Sequence, residues 1–227
     1  GVVLPPGTWD FLYSPPLCSP LAPAEQRSVT TAAAALTLST ATLVTGVHAT
    51  GRLLDQGGLR VSGGDLNFFP PGSRTKIFTP RDNTDSTGAY NVLVPPAVYD
   101  IDYSPPAGPA LRPAQRSGVS LLADTALPNT VLLPGLVVSG FVKSSVTGLG
   151  VADATLEFHA PGSSTALLTP HNTTALDGSY AIVVTAGTLP GACTPGGPIE
   201  KLAWKEERKG LTVEFGEQAQ LDRARVG

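Results

Sequence analysis

LNFFPPGSRTKIFTPRDNTDSTGAYNVLV, Leu66 to Val94, occurs a second time ninety residues on as LEFHAPGSSTALLTPHNTTALDGSYAIVV, Leu156 to Val184. Aligned without a gap, 12 of the 29 positions are identical, among them Pro71/Pro161, Gly72/Gly162, Thr84/Thr174, Gly88/Gly178 and Tyr90/Tyr180. A period of this size is close to the roughly 100 residues of an immunoglobulin-like sandwich. It has to be settled before any local reading, because an unseen repeat mis-assigns the whole fold.

The repeat extends outward from this stretch. Leu4 to Pro16, LPPGTWDFLYSPP, returns as Val94 to Pro106, VPPAVYDIDYSPP, with seven of thirteen positions identical. Leu21, Pro23 and Ala24 match Leu111, Pro113 and Ala114. Arg27-Ser28 pairs with Arg116-Ser117 if one residue is skipped. Residues 1–45 therefore read as the C-terminal half of a preceding unit, followed by one unit over 46–135 and another over 136–227. Gly1 at the start and the absence of methionine are expected of a processed or excised piece.

Within a unit the runs alternate as half-buried strands do. The reading places strands at VVSGFV (137–142), ATLEF (154–158, with DLNF at 65–68), Thr165 to Thr169 and SYAIVV (179–184). Others fall at VYDIDY (98–103), GVSLLAD (118–124) and NTVLL (129–133). Alternation puts Tyr90, Val92 and Val94 on one face, as it does Tyr180, Ile182 and Val184, and Tyr99, Ile101 and Tyr103. Asp177-Gly178 suits a tight turn, since glycine adopts positive φ without steric cost. Prolines 95–96 and 105–106 end strands because proline cannot donate to a ladder. The tail is placed by matching Arg208–Val213 to Arg116–Leu121, with a turn at Gly216-Glu217 and a last strand over Ala219 to Val226. Residues 188–204 align poorly, Lys201 to Lys209 could form one or two helical turns, and a shifted reading frame is the other reading of this tail.

Composition agrees with many short strands. The 25 glycines and 22 prolines make up about a fifth of 227 residues and are spread between apolar runs. Hydrophobic residues at 41% are enough for a core, and no long stripe of helical period is present. The fold class is all-β, a tandem of sandwich repeats. Net charge is −3 with 15% charged residues, so the clustered cationic footprint of nucleic-acid binding is missing before the short KEERK run at 205–209. No apolar run approaches the roughly 20 residues of a membrane span. The two cysteines, Cys18 and Cys193, lie far apart in Pro/Gly-rich loops, and in separate domains they would not approach within the ~4–7 Å between Cα atoms that a disulfide needs. They read as unpaired thiols, with an inter-chain or loop–loop bridge as the alternative.

The order VSGFV, ATLEF, T-x-x-DGSY and then PP-x-x-YDIDYSPP resembles the carboxypeptidase regulatory-like domain. The signals are Thr84 to Tyr90 and Thr174 to Tyr180, followed by Pro5 to Asp10, and the likeness covers nearly the whole chain. That family is related to transthyretin-like (prealbumin-like) and Cna-B-type repeats. The resemblance implies a seven-stranded, immunoglobulin-like sandwich in tandem, a role as an accessory, adhesive or structural module of a secreted or surface protein, and no catalytic residues.

Local constellations are few. His48, His159 and His171 stand in unlike places, and no nucleophile or metal motif accompanies them, so no catalytic residue and no cofactor is assigned. Asp82, Asn83 and Asp85 stack oxygen ligands as a calcium loop would, but the second repeat has His171-Asn172-Thr173-Thr174 there, and Asx turns explain both. Trp9, Tyr13, Tyr99 and Tyr103 could form sugar platforms, although their recurrence on one strand face reads as packing. A self-made isopeptide bond, as in some Cna-B-type relatives, would use Lys143, Glu157 and Asp222. The first repeat has Leu54 and Asn67 near the lysine and acid positions.

The function expected is that of non-catalytic structural or adhesive modules of a secreted or cell-surface protein. The half-unit at 1–45, with unpaired strand edges, would drive assembly into a fibre or dimer. Partners would be other copies or neighbouring repeats, with a glycan or surface protein possible in addition. The alternative is a carbohydrate- or protein-binding accessory module of a larger extracellular enzyme.

Overall fold

The computed structural model describes residues 3–32, 36–159, 163–185 and 211–215. Among them there is no helix, and none long and apolar enough to cross a membrane. The chain forms two compact units. Gly1–Pro106 with Ala114–Val131 make the first, and Ala107–Pro113 with Leu132–Gly227 the second.

The first unit opens with a pair of strands, β1 (Gly7–Tyr13) and β2 (Ala24–Thr31), antiparallel to one another. Seven further strands follow: β3 (Val47–Asp55), β4 (Asp65–Phe69), β5 (Ala89–Val94), β6 (Ala97–Ser104), β7 (Ala114–Leu121), β8 (Thr125–Ala126) and β9 (Thr130–Leu132). They build two sheets. In one, β3 lies between β5 and β8 and also pairs with β9; in the other, β6 lies between β4 and β7. Leu53, Leu66, Phe68, Val94, Ile101 and Tyr103 are wholly shielded from solvent. Each such side chain contributes about 1.5–3 kcal/mol by leaving water. The expected faces hold: Tyr90, Val92 and Val94 are buried, and so are Tyr99, Ile101 and Tyr103. This is a β-sandwich of seven strands.

The second unit repeats the design in β10 (Leu136–Ser144) and β11 (Ser179–Val184), paired antiparallel as β3 and β5 are. Its core joins Val142, Leu156, Phe158, Tyr180, Ile182 and Val184. A last strand, β12 (Leu211–Phe215), lies antiparallel on β10. That position corrects the alignment of the tail. β7, matched to Arg208–Val213 in the sequence, pairs with β6, whereas β12 lies on the edge of β10 away from β11. The reading of Lys201 to Lys209, the turn at Gly216-Glu217 and the strand over 219–226 lie outside the described residues.

Two more expectations change. Thr165 to Thr169 is not a strand; it touches the neighbouring segment through a single bridge, Ala166 to His159. The serine before it explains why, since Ser163 Oγ accepts the Thr165 N–H at 3.0 Å, as Ser73 Oγ accepts that of Thr75. A turn has taken the donor that a ladder would use. Residues 154–158, unlike β4, are not a strand; they bond to 172–174 around the bridge of Thr155 to Thr173, and Phe158 O accepts the Leu167 N–H.

The repeat is sharper in the backbone than in the letters. Positive φ recurs at Cys18/Gly108, Ser28/Gly118, Gly58/Gly148, Gly63/Asp153, Arg81/His171 and Gly88/Gly178, each pair ninety apart. Ser28 therefore matches Gly118, and the skipped residue near Arg27 is not there. In the ladders Gln26 faces Phe11 as Arg116 faces Ile101, and both hairpins bulge at the aspartate between, Asp10 or Asp100. The shift comes later. Ala22 N–H donates to Val44 O, and Arg112 N–H to Leu133 O, an offset of 89 at the acceptor. A loop one residue longer, closed by Ser144 and Leu149 where Asp55 and Leu59 close the first, restores ninety.

Candidate functional site

The nominated side chains are occupied by local structure. Asp82 Oδ2 accepts the Thr79 hydroxyl at 2.6 Å, and burial raises its carboxyl above the usual carboxylate range. Asp85 Oδ1 accepts the Thr87 hydroxyl and the N–H groups of Thr87 and Ala89, which holds its carboxyl below that range. Asn83, exposed, bridges to Asp65 through its backbone. The two aspartates thus serve two different turns. In the second repeat Asp177, two places further on, accepts the Ser179 N–H and closes the corresponding turn. Among the described residues no three His, Cys, Asp or Glu side chains gather as metal ligands.

Lys143 and Glu157 each neighbour a core residue: Val142 in one case, Leu156 and Phe158 in the other. Alternation therefore turns both away from the core. Lys143 Nζ lies 5.6 Å from the Phe141 ring, and Glu157 lies 3.5 Å from His159 Nε2. Asp222 lies outside the described residues. Tyr99 and Tyr103 are core; the Tyr99 hydroxyl donates to Pro95 O at 2.7 Å, and burial pushes its phenol up to about 12. Trp9 and Tyr13 are only half-buried.

One cleft was not foreseen. About 440 Å3 in volume, it lies between the proline-rich loop Pro15–Leu21 and residues of β3, β5 and the Pro80-Arg81 turn. Cys18, exposed and free, lines it together with His48 and Asn91. His48 Nδ1 is 2.6 Å from Asn91 Oδ1, an acceptor, so a neutral ring carries its proton on Nδ1 and leaves Nε2 as the acceptor. Ninety residues on, Gly108 and Ala181 stand at the places of Cys18 and Asn91. A signal confined to one copy is invisible to a reading built on what recurs.

The β1–β2 pair is the other exposed feature. It reproduces β6–β7, bulge included: Asp10 Oδ1 accepts the Ser28 N–H at 2.8 Å, and Asp100 Oδ1 accepts the Gly118 N–H at 2.8 Å. Asp100 also accepts the Gly72 N–H, from the loop after β4, at 3.1 Å. β1 carries Trp9, Phe11 and Tyr13 where β6 carries Tyr99, Ile101 and Tyr103. Among the described residues β1 is paired on one edge only, by β2.

No family model matches the chain, and no curated protein does. Comparison with solved structures found matches of low similarity. A streptococcal ancillary pilin is 12% identical with a TM-score of 0.30, over 93% of this chain and 72% of that one. The Bacillus anthracis TIE protein is 10% identical with a TM-score of 0.29, over 71% of this chain and 29% of its own. A type II cohesin–X-dockerin complex from Acetivibrio cellulolyticus is 15% identical with a TM-score of 0.28, over 40% of this chain. The match spans 59% of that cohesin–X-dockerin chain.

Proposed function

We propose that this chain is a non-catalytic scaffold: sandwich modules of a secreted or cell-surface protein that assemble through the half-unit at 1–45. The units are 1–45, 46–135 and 136–227, as repeats of the carboxypeptidase regulatory-like type. The observation that carries the reading is the half-buried face of β1, a repeat of β6 that among the described residues pairs with β2 alone, whereas β6 pairs with both β4 and β7. Such a module presents rigid length and an exposed edge, and main-chain pairing along that edge supplies affinity. Light scattering and negative-stain microscopy of the purified chain test this. Concentration-dependent multimers are expected, and a strict monomer at high concentration would refute assembly.

The cleft lined by His48 and Asn91 favours a second reading, an accessory module that binds a glycan or peptide. It predicts a hit on a glycan or peptide array that His48→Ala abolishes. An empty array would remove it.

A further inference from the structure

The cleft beside His48 follows from strand geometry. Val47, Ala49 and Val92 are buried, so alternation turns His48 and Asn91 to the outer face of their sheet. His48 faces Leu93 across the ladder and Thr50 faces Asn91, which makes His48 and Asn91 diagonal neighbours. They meet at 2.6 Å, Nδ1 to Oδ1. In the second unit Val137 faces Val183 and Ser139 faces Ala181 at the same places of the ladder, so the polar pair belongs to the first unit.

The opposite wall is tied down by main-chain bonds. Gly46 N–H donates to Pro20 O and Ala22 N–H to Val44 O, both at 2.8 Å, and Leu21 bridges to Thr45. A loop stiffened by Pro15, Pro16 and Pro20 has little freedom left to lose when a ligand enters. The volume of about 440 Å3 falls within the roughly 300–1,000 Å3 of ligand pockets.

The lining defines what fits. Arg81 is its permanently charged side chain, and no carboxylate lines it; Asp124, which accepts the His48 backbone N–H at 2.8 Å, stands outside. Arg81 is exposed, and among the described residues it forms no ion pair. The Asn91 oxygen is committed to His48, which leaves the Asn91 NH2 group as a donor and His48 Nε2 as an acceptor. Leu17, Leu21 and Leu93 add apolar surface to that of the prolines. No Trp, Tyr or Phe lines the cleft, so it offers a sugar no aromatic platform.

We propose that this cleft binds the C-terminal end of a peptide whose last residue is apolar. The inference rests on the accessory-module reading and names its ligand. The terminal carboxylate pairs with the Arg81 guanidinium, which matches two oxygens at once, and takes a further hydrogen bond from Asn91 Nδ2. The N–H of the last residue donates to His48 Nε2, and its side chain packs among the leucines and prolines. A chain end presents anion, donor and apolar group together. An internal peptide segment lacks the anion, and a neutral glycan lacks both the anion and the apolar body.

Fluorescence anisotropy with a labelled peptide ending in leucine tests this, the free acid against its C-terminal amide. The amide should bind at least about tenfold more weakly, and so should the acid to Arg81→Asn, because a hydrogen-bonded charge pair is lost. Asparagine visits the left-handed region readily, so the turn at Arg81, φ 67°, is kept. Asn91→Ala, the residue found at 181, should weaken the acid by a smaller factor. Saturating acid should also slow alkylation of Cys18 by iodoacetamide, since Cys18 lines the same cleft. Equal affinity for acid and amide, unchanged binding to Arg81→Asn, or unchanged alkylation of Cys18 would overturn the proposal. N-acetyl-leucine competing as tightly as the whole peptide would overturn the peptide as source and make the occupant a free small acid. A glycan hit that His48→Ala abolishes, without peptide binding, would overturn this ligand and leave the accessory-module reading standing. No hit of either kind would overturn both.

Discussion

β1–β2 and β6–β7 are one hairpin in two settings. Strand pairing, bulge, the aspartate in the bulge and the positive φ opposite it all agree. Burial does not. Tyr99, Ile101 and Tyr103 are 3%, 0% and 0% exposed, whereas Trp9, Phe11 and Tyr13 are each partly open to solvent. The hairpin's local geometry is thus set by its own residues, and its burial by what lies across it. β6 has β4 on its free edge and Tyr90 from the other sheet 6.1 Å from Tyr103, ring centre to ring centre.

The sharpest way to break this comparison is to truncate the same place in both hairpins. Ile101→Ala removes a fully buried side chain and is expected to cost about 2–5 kcal/mol. Phe11→Ala removes a larger but half-exposed side chain and should cost the isolated chain less. Urea unfolding of the two variants measures this. Equal losses would mean that β1 is as fully covered as β6. If Phe11→Ala also weakens multimers, the covering surface is another chain.

The aspartates give a smaller effect with a definite sign. Hydrogen bonds from Gly72 and Gly118 hold the Asp100 carboxyl below its usual range. Its contribution is therefore complete above the unfolded value, near 3.8, and is lost as pH falls through the lowered folded value. Asp100→Asn should lower Tm at neutral pH by less than Ile101→Ala does, and the gap to the parent should close in acid. Asp10→Asn, at a carboxylate that accepts the Ser28 N–H, should lower Tm at neutral pH by less than Asp100→Asn does. Two residues on, Asp102 runs the other way, because burial raises its carboxyl while Gln115 Nε2 donates to Oδ1 at 2.8 Å. Its penalty is present at neutral pH and is relieved as pH falls, so Asp102→Asn, which keeps the acceptor, should raise Tm at pH 7.

What the letters made legible was the periodic part. Strand faces follow from alternation: the residues it groups on one face, Tyr90 with Val92 and Val94, Tyr180 with Ile182 and Val184, and Tyr99 with Ile101 and Tyr103, are buried together, and the ninety-residue period is the backbone's own. Register was harder. The identical dipeptides Arg27-Ser28 and Arg116-Ser117 suggest a skipped residue, yet the bulge has to set a positive φ opposite Asp10 and Asp100, and that need aligns Ser28 with Gly118. Backbone conformation decided where identity misled. The stretch Thr165 to Thr169 has strand composition, but Ser163 turns the chain before a ladder can form. The cleft beside His48 was not legible, since it is assembled from separate loops and strands, and Cys18 and Asn91, which line it, give way to Gly108 and Ala181 ninety residues on.

Ser28 offers the smallest effect and the cleanest test of the backbone repeat. It adopts φ 57° where its counterpart Gly118 adopts 67°. A left-handed conformation costs a residue with a side chain about 1–2 kcal/mol. Replacing it by glycine recovers that strain and adds freedom to the unfolded chain, which offsets part of the gain. Ser28→Gly should therefore stabilise the β1–β2 hairpin by up to about 1 kcal/mol, because the bond to Asp10 comes from the backbone N–H and survives the change. Gly118→Ser in the second hairpin should destabilise by a similar amount. Amide exchange at Trp9 and Val29, which face each other beside the bulge, reads the local effect apart from global unfolding. Opposite signs at the two sites would establish that a single backbone plan underlies both hairpins. Equal signs would mean that the bulge of β1–β2 is held by something its copy lacks.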